Sequence, residues 1–177
     1  WKLVGNQVIF SDIDLSQVLP NMPRNLDSWD GYPAEKNKIK NHIISNQIRD
    51  VIFLTGDTHA SWAIEVATDV ANTYDPVTSR GAFAVEFGTP SVSAANSNEK
   101  NSNDNVKKSE ITLLKDNPHI KYTNNRDHGY LLLSLTPQTA TSEWYYVESL
   151  RTPGSKVSLG ETLTVQRGST LIRKKED

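Results

Sequence analysis

The chain contains no cysteine. Disulfides, thiolate metal ligands and a cysteine nucleophile are therefore excluded. The absence suits a cytosolic protein and an exported bacterial one equally, so it chooses no compartment. No apolar run approaches the roughly 20 residues that a membrane-spanning helix needs. No secretory signal pattern is visible, and the first residue is Trp1 rather than methionine. The chain reads as a fragment or processed product that begins inside a strand. Charge of neither sign is in excess: 19 basic and 21 acidic residues leave a formal net charge of −2. Nonspecific attraction to nucleic acid or to an acidic membrane is not expected from that balance. The one basic cluster, Arg173-Lys174-Lys175, is followed at once by Glu176 and Asp177, the pattern of a solvated tail. A Gly-rich phosphate loop, a Gly-x-Ser-x-Gly elbow and an internal repeat are also missing.

What is present is enough for one compact domain or a large part of one: 177 residues, 36% of them hydrophobic. Residues 2–10 are apolar around Gly5-Asn6 and read as an edge strand or short hairpin. Residues 11–33 carry Pro20, Pro23, Gly31 and Pro33 and read as a long structureless stretch, a kind usually functional or mobile. Ile39, Ile43, Ile44 and Ile48 have helical spacing over residues 34–48, with Asn46 and Asp50 as terminators before a strand at residue 51. Strand, helix and strand in this order predict an α/β architecture. Residues 61–70 alternate in a way that favours a strand, with helix as the alternative. Residues 80–90 alternate more cleanly and predict a half-buried strand, with Glu86 facing solvent. Residues 94–110 are polar and asparagine-rich and read as a surface loop, with a short helix beginning at 111–114 and stopping before Pro118. Residues 129–136 and 142–150 predict an antiparallel hairpin turning at Pro137-Gln138, and residues 161–165 a last, weaker strand. The sum is a mixed sheet, half of a two-sheet sandwich flanked by helices.

One stretch carries chemistry: Val51-Ile52-Phe53-Leu54-Thr55-Gly56-Asp57-Thr58-His59. A buried-strand pattern is broken by glycine, and an aspartate and a histidine follow. In extended backbone, positions i and i+2 point the same way, so Asp57 and His59 would aim at one point beyond the strand end. Functional groups of α/β sheets gather there. One hard oxygen and one imidazole suit a divalent or trivalent metal. Taken alone, the pair also reads as a turn aspartate and a surface histidine.

A series of segments resembles the C-terminal half of PhoD-type alkaline phosphatase/phosphodiesterases, in the calcineurin-like metallophosphoesterase superfamily. They are Asp27-Ser28-Trp29-Asp30-Gly31-Tyr32-Pro33-Ala34, Leu54-Thr55-Gly56-Asp57-Thr58-His59-Ala60-Ser61-Trp62, Val85-Glu86-Phe87-Gly88-Thr89-Pro90-Ser91-Val92-Ser93, Asn117-Pro118-His119-Ile120-Lys121-Tyr122, His128-Gly129-Tyr130 and Trp144-Tyr145-Tyr146-Val147. The resemblance implies the C-terminal half of a four-layer fold, a mixed β-sheet sandwich flanked by helices. It implies that Asp57 and His59 stand in the late metal motif, with iron and calcium as the expected cations and zinc, manganese or magnesium as other candidates. It implies metal-dependent hydrolysis of phosphate monoesters or diesters by a secreted, periplasmic or cell-surface parent. The family's early ligands, a cysteine among them, have no counterpart here. The fragment is thus expected to hold part of a metal site, to be inactive alone, and to associate with the missing half or with another copy.

Other residues carry two readings each. Trp29, Asp30 and Tyr32 form either a loop pinned by aromatics or a group supporting a ligand near the substrate entrance. His119 and His128 read as hydrogen-bonded structural histidines, and His42 as solvated. Ser61 lacks an elbow and an acid partner, so a nucleophile role is not expected. A rival class is a noncatalytic β-rich module binding glycan or protein through Trp29, Tyr32, Trp144 and Tyr146.

Overall fold

The computed structural model describes residues 1–154 and 156–175. Nine strands and two helices are ordered along them: β1 Lys2–Gly5, α1 Pro33–Ser45, β2 Val51–Thr55, β3 Ser61–Ala67, β4 Ala82–Gly88, α2 Asn103–Asp116, β5 Ile120–Asn124, β6 Gly129–Leu135, β7 Thr139–Val147, β8 Val157–Gln166 and β9 Ile172–Lys174. The first five strands make one sheet in the order β1-β2-β4-β3-β5, and the last four an antiparallel sheet in the order β6-β7-β8-β9. β1, β2 and β4 run parallel, while β3 opposes both β4 and β5. The expected α/β class and hairpin are present; the apolar start of the chain is a parallel edge strand rather than a hairpin.

The two sheets pack face to face. Ile52, Ala63, Val85 and Phe87 of the first meet Ala140, Trp144, Leu163 and Val165 of the second in one buried cluster. The buried Trp144 indole donates to the Gly88 carbonyl at 2.9 Å, so its polar atom is satisfied inside that interface. The other face of the first sheet is covered by helices: Ile43 of α1 packs with Phe10, Phe53, Val66 and Ala84, and Leu113 of α2 with Ile9, Trp62, Ile64 and Ile120. With both faces of the first sheet covered, β2 and β3 are buried at nearly every position, whereas β7 alternates. Helix layer, sheet and sheet make three layers among the described residues, with the outer face of the second sheet open.

Several expectations are corrected. Residues 94–110 are not one surface loop: Ser97–Glu99 is a 3-10 turn, and α2 begins at Asn103. Only Val106, Glu110 and Leu113 of α2 are buried, a stripe too thin to stand out among polar neighbours. Glu86 does not face solvent; it is fully buried. Residues 11–33 are not structureless. Asn117 brackets Asp14 with two hydrogen bonds (2.8 and 2.9 Å), and Trp29 Nε1 donates to Asn6 Oδ1 at 3.0 Å. The basic cluster is in part strand β9, with Ile172 buried and Lys174 3.0 Å from Glu161; the rest of that expected tail, Glu176 and Asp177, lies outside the described residues.

Candidate functional site

Three parallel strands, β1, β2 and β4, end on the same side of the first sheet. Just beyond them, Gly56 N donates to Gln7 O (3.1 Å) and Thr89 N to Thr55 O (2.9 Å). These bonds draw the segments after all three strands together, and Asp57 and His59 sit among them. The local backbone is not the extended one expected from the sequence. Strand β2 stops at Thr55, and Asp57 and His59 both lie in the left-handed region, with φ of 68° and 58°. Aspartate and histidine are among the non-glycine residues that enter this region most readily, and a cluster of such angles recurs at functional sites. Two left-handed residues in one bend, rather than strand alternation, bring the pair to the sheet's rim. Thr58 between them is anchored, its hydroxyl accepting from Trp62 Nε1 at 2.8 Å.

Both side chains are exposed. His59 Nδ1 lies 2.9 Å from the Ala95 carbonyl oxygen. A carbonyl only accepts, so Nδ1 carries the hydrogen and Nε2 presents its lone pair. The Asp57 carboxylate has no hydrogen-bond or ion-pair partner among the described residues. A free carboxylate and an imidazole oriented through its far nitrogen are suitable donors for a cation. No group of three or more His, Asp or Glu side chains converges on a metal position among the described residues. An open cleft of about 480 Å³ adjoins this rim, lined by Gln7, Gly56, Thr89, Leu131 and Leu133 among others. Ala95, which orients His59, carries no sequence signal, because only its carbonyl acts.

None of the remaining singled-out residues bonds to Asp57 or His59 among the described residues. Asp30 is not bonded to Asp57 or His59; its partner is Lys36 Nζ at 2.7 Å, which also holds Asp12 at 2.7 Å. Burial, together with the neighbouring Asp12, keeps the Asp30 carboxyl above its usual range despite that ammonium. Trp29 packs on Phe10 with ring centroids 5.5 Å apart, which is the pinned-loop reading, and Tyr32 is exposed. Glu86 accepts from Phe10 N (2.7 Å), Ser11 N (2.8 Å) and Ser11 Oγ (2.6 Å), clipping the start of the long loop to β4. Burial pushes its pKa up while those bonds oppose the rise. His119 is buried with Nε2 2.7 Å from Asp12 O, and burial pushes its pKa down. His128 is also a buried, hydrogen-bonded histidine. His42 is exposed. The Ser61 hydroxyl is fully buried, 2.8 Å from Tyr146 Oη, which is itself 2.7 Å from Tyr122 Oη. The aromatics behind the glycan-module reading are largely interior, Trp144 at 0% exposure and Tyr146 at 7%.

Comparison with known proteins adds an independent line. A family model described as PhoD-like phosphatase matches residues 1–144. Alkaline phosphatase D of Bacillus subtilis (strain 168) is 30% identical over 175 residues, which are 98% of this chain and 28% of that protein. A solved structure described as "Structure of PhoD" superposes with a TM-score of 0.79 at 27% identity, covering 99% of this chain and 31% of that one. This chain therefore spans less than a third of the length of either relative.

Proposed function

Because this chain belongs to the PhoD-like phosphatase family, we propose that it forms part of a metal-dependent phosphoesterase in which Asp57 and His59 are metal ligands. The whole protein would release phosphate from monoesters or diesters. The observation that carries the reading is the His59 ring held at Nδ1 by the Ala95 carbonyl (2.9 Å), two residues along the chain from an Asp57 carboxylate with no partner among the described residues, just past the end of β2. That donor set fits a cation: one hard oxygen and one imidazole nitrogen, both solvent-facing, with the tautomer fixed from behind. Iron and calcium are the proposed cations, with zinc, manganese or magnesium as others that oxygen and imidazole accept. Bound cations would supply Lewis acidity toward the phosphoryl oxygens and an activated water.

The chain's own residues do the rest. His59 offers Nε2 and keeps its proton at Nδ1, and the Asp57 carboxylate adds negative charge at the rim. The anchored Thr58 limits motion of both, so the ligands are placed before substrate arrives. The adjoining cleft, lined in part by Leu131 and Leu133, gives a phosphate ester's leaving group an apolar wall. Two ligands underfill even one cation, so turnover requires further ligands from outside these residues, and the isolated 177-residue chain should not turn over. We place the protein outside the cytoplasm or at the cell surface, where scavenging phosphate from esters has a use.

The test is Asp57→Ala and His59→Ala in the full-length protein, with metal content by elemental analysis and phosphate release from a monoester and a diester. Each change should remove bound metal and lower kcat/KM by at least about a hundred-fold, since even outer-shell changes cost 10–100-fold. Full metal content with wild-type turnover in both variants would sink the assignment.

A further inference from the structure

We propose that His128 and Glu99 act as a positioning clamp for His59, by holding the 91–99 segment that presents the Ala95 carbonyl. The inference rests on reading His59 as a metal ligand. Residues 92–95 are exposed, and an exposed loop does not by itself hold a carbonyl in place. What fixes it is the ring of His128, buried at the start of β6. His128 Nε2 lies 2.8 Å from Glu99 Oε1, and Nδ1 lies 3.1 Å from Ser91 Oγ. The Ser91 hydroxyl lies 2.6 Å from Ala94 O and 3.2 Å from Asn96 Oδ1, so it ties the His128 ring to both neighbours of Ala95. Nε2 donates to the Glu99 carboxylate, which only accepts, and Nδ1 meets the Ser91 hydroxyl.

The two ends of the segment close on the same ring. At one end, Gly129 N donates to Ser91 O at 3.1 Å. At the other, Glu99 Oε2 accepts from Asn96 N at 2.6 Å, and the buried Asn96 donates through Nδ2 to Asp127 O at 3.2 Å. Ala95 therefore sits between two pinned neighbours, Ala94 and Asn96. His128 is itself tied to the second sheet, its carbonyl accepting from Val147 N at 2.9 Å. A group at the head of the second sheet thus sets the tautomer of a ligand at the rim of the first. Glu99 and His128 do not touch the reacting position; they act through Ala95 and His59.

The test uses the full-length protein, freed of metal and labelled with 15N at histidine, with the His59 tautomer read by long-range NMR correlation. Wild type should show the Nδ1–H form. Glu99→Ala and Ser91→Ala should release His59 to the solution mixture, in which Nε2–H dominates, and Glu99→Gln, which can still accept from the imidazole, should restore most of the Nδ1–H form. Zinc alone, titrated into the same samples, should bind about 10- to 100-fold more weakly to Glu99→Ala. A His59 tautomer unchanged in Glu99→Ala would overturn the clamp, because a merely structural Glu99 would move only the melting temperature. Should a variant not fold, wild type still decides, since Nε2–H at His59 there is incompatible with the proposal. If zinc leaves the wild-type His59 Nε2 resonance unmoved while the tautomer follows the clamp residues, the ligand reading fails and the positioning stands.

Discussion

Glu86 shows most sharply how single residues act in this chain. It is a carboxylate at 0% exposure that satisfies two backbone N–H groups and a hydroxyl of residues 10 and 11. Removing it strands buried donors. Glu86→Ala should therefore cost about 2–6 kcal/mol in urea unfolding, at roughly 1–3 kcal/mol for each of the two backbone N–H donors left unpaired. Glu86→Gln keeps one acceptor oxygen and should cost less. Burial raises the folded-state pKa of Glu86 above the usual 4.5, so the folded state holds its proton more tightly than the unfolded chain. Its stabilising share is present below the unfolded pKa and is lost as pH rises through the folded one. Glu65, buried with Tyr74 Oη at 2.6 Å, shifts the same way; His119, pushed down, contributes in the opposite direction, losing stability as pH falls. The measurable quantity is the difference between wild type and Glu86→Gln across pH, which should shrink as pH rises above 4.5; a constant difference would contradict the buried-carboxyl account. Glu86 is misread in the sequence because alternation places it opposite Phe87 and Val85, and alternation does not say that helices cover that second face.

At the scale of elements, α2 shows where periodicity fails. Its buried stripe is Val106, Glu110 and Leu113, and Glu110 is inside only because Arg126 and the Asn125 N–H meet its carboxylate. The start is set by Ser102, whose hydroxyl accepts from Asn105 N at 3.3 Å. Ser102→Ala should cost about 1 kcal/mol as a lost N-cap. Leu113→Ala, which empties part of the cluster between helix and sheet, should cost about 2–5 kcal/mol. Thermal or urea unfolding separates the two; equal costs would mean that the helix docks without that side chain. The strands that are legible in sequence, β1 to β4, the β6–β7 hairpin and the end of β8, are those with an apolar run, an alternation or a turn signal. β5 and β9 have none of these. They are strands because β3 and β8 offer edges to pair with, and pairing is not written into the segment itself.

Over the whole molecule, the asymmetry of the two sheets matters most. One face of the second sheet is core; its other face leaves Tyr130, Leu132, Val157 and Leu159 exposed at 45%, 45%, 46% and 52%. Tyr130 stacks on Tyr145 at 5.3 Å, so this is a continuous apolar surface rather than scattered side chains. The isolated chain should therefore associate: its sedimentation coefficient should rise with concentration, and Leu132→Lys with Leu159→Lys should hold it monomeric. A wild-type chain that stays monomeric at high concentration would remove the basis for association with a further part of the fold or with another copy.

The sequence alone determined the α/β class, the βα start, the hairpin and the family likeness, because buried runs, helical spacing and long motifs are local properties of the chain. It also singled out Asp57 and His59, though for a reason the fold replaced: two left-handed residues in a bend, not an extended i, i+2 pair, bring them to the rim. Tertiary structure decided what covers each face and which distant atom answers each polar group. Glu86 became buried once the chain at Phe10 and Ser11 closed on the first sheet, and His59 acquired its orientation from a carbonyl 36 residues away. Such partners are legible only after folding, because a backbone carbonyl looks the same at every position of a sequence until the chain brings it within reach.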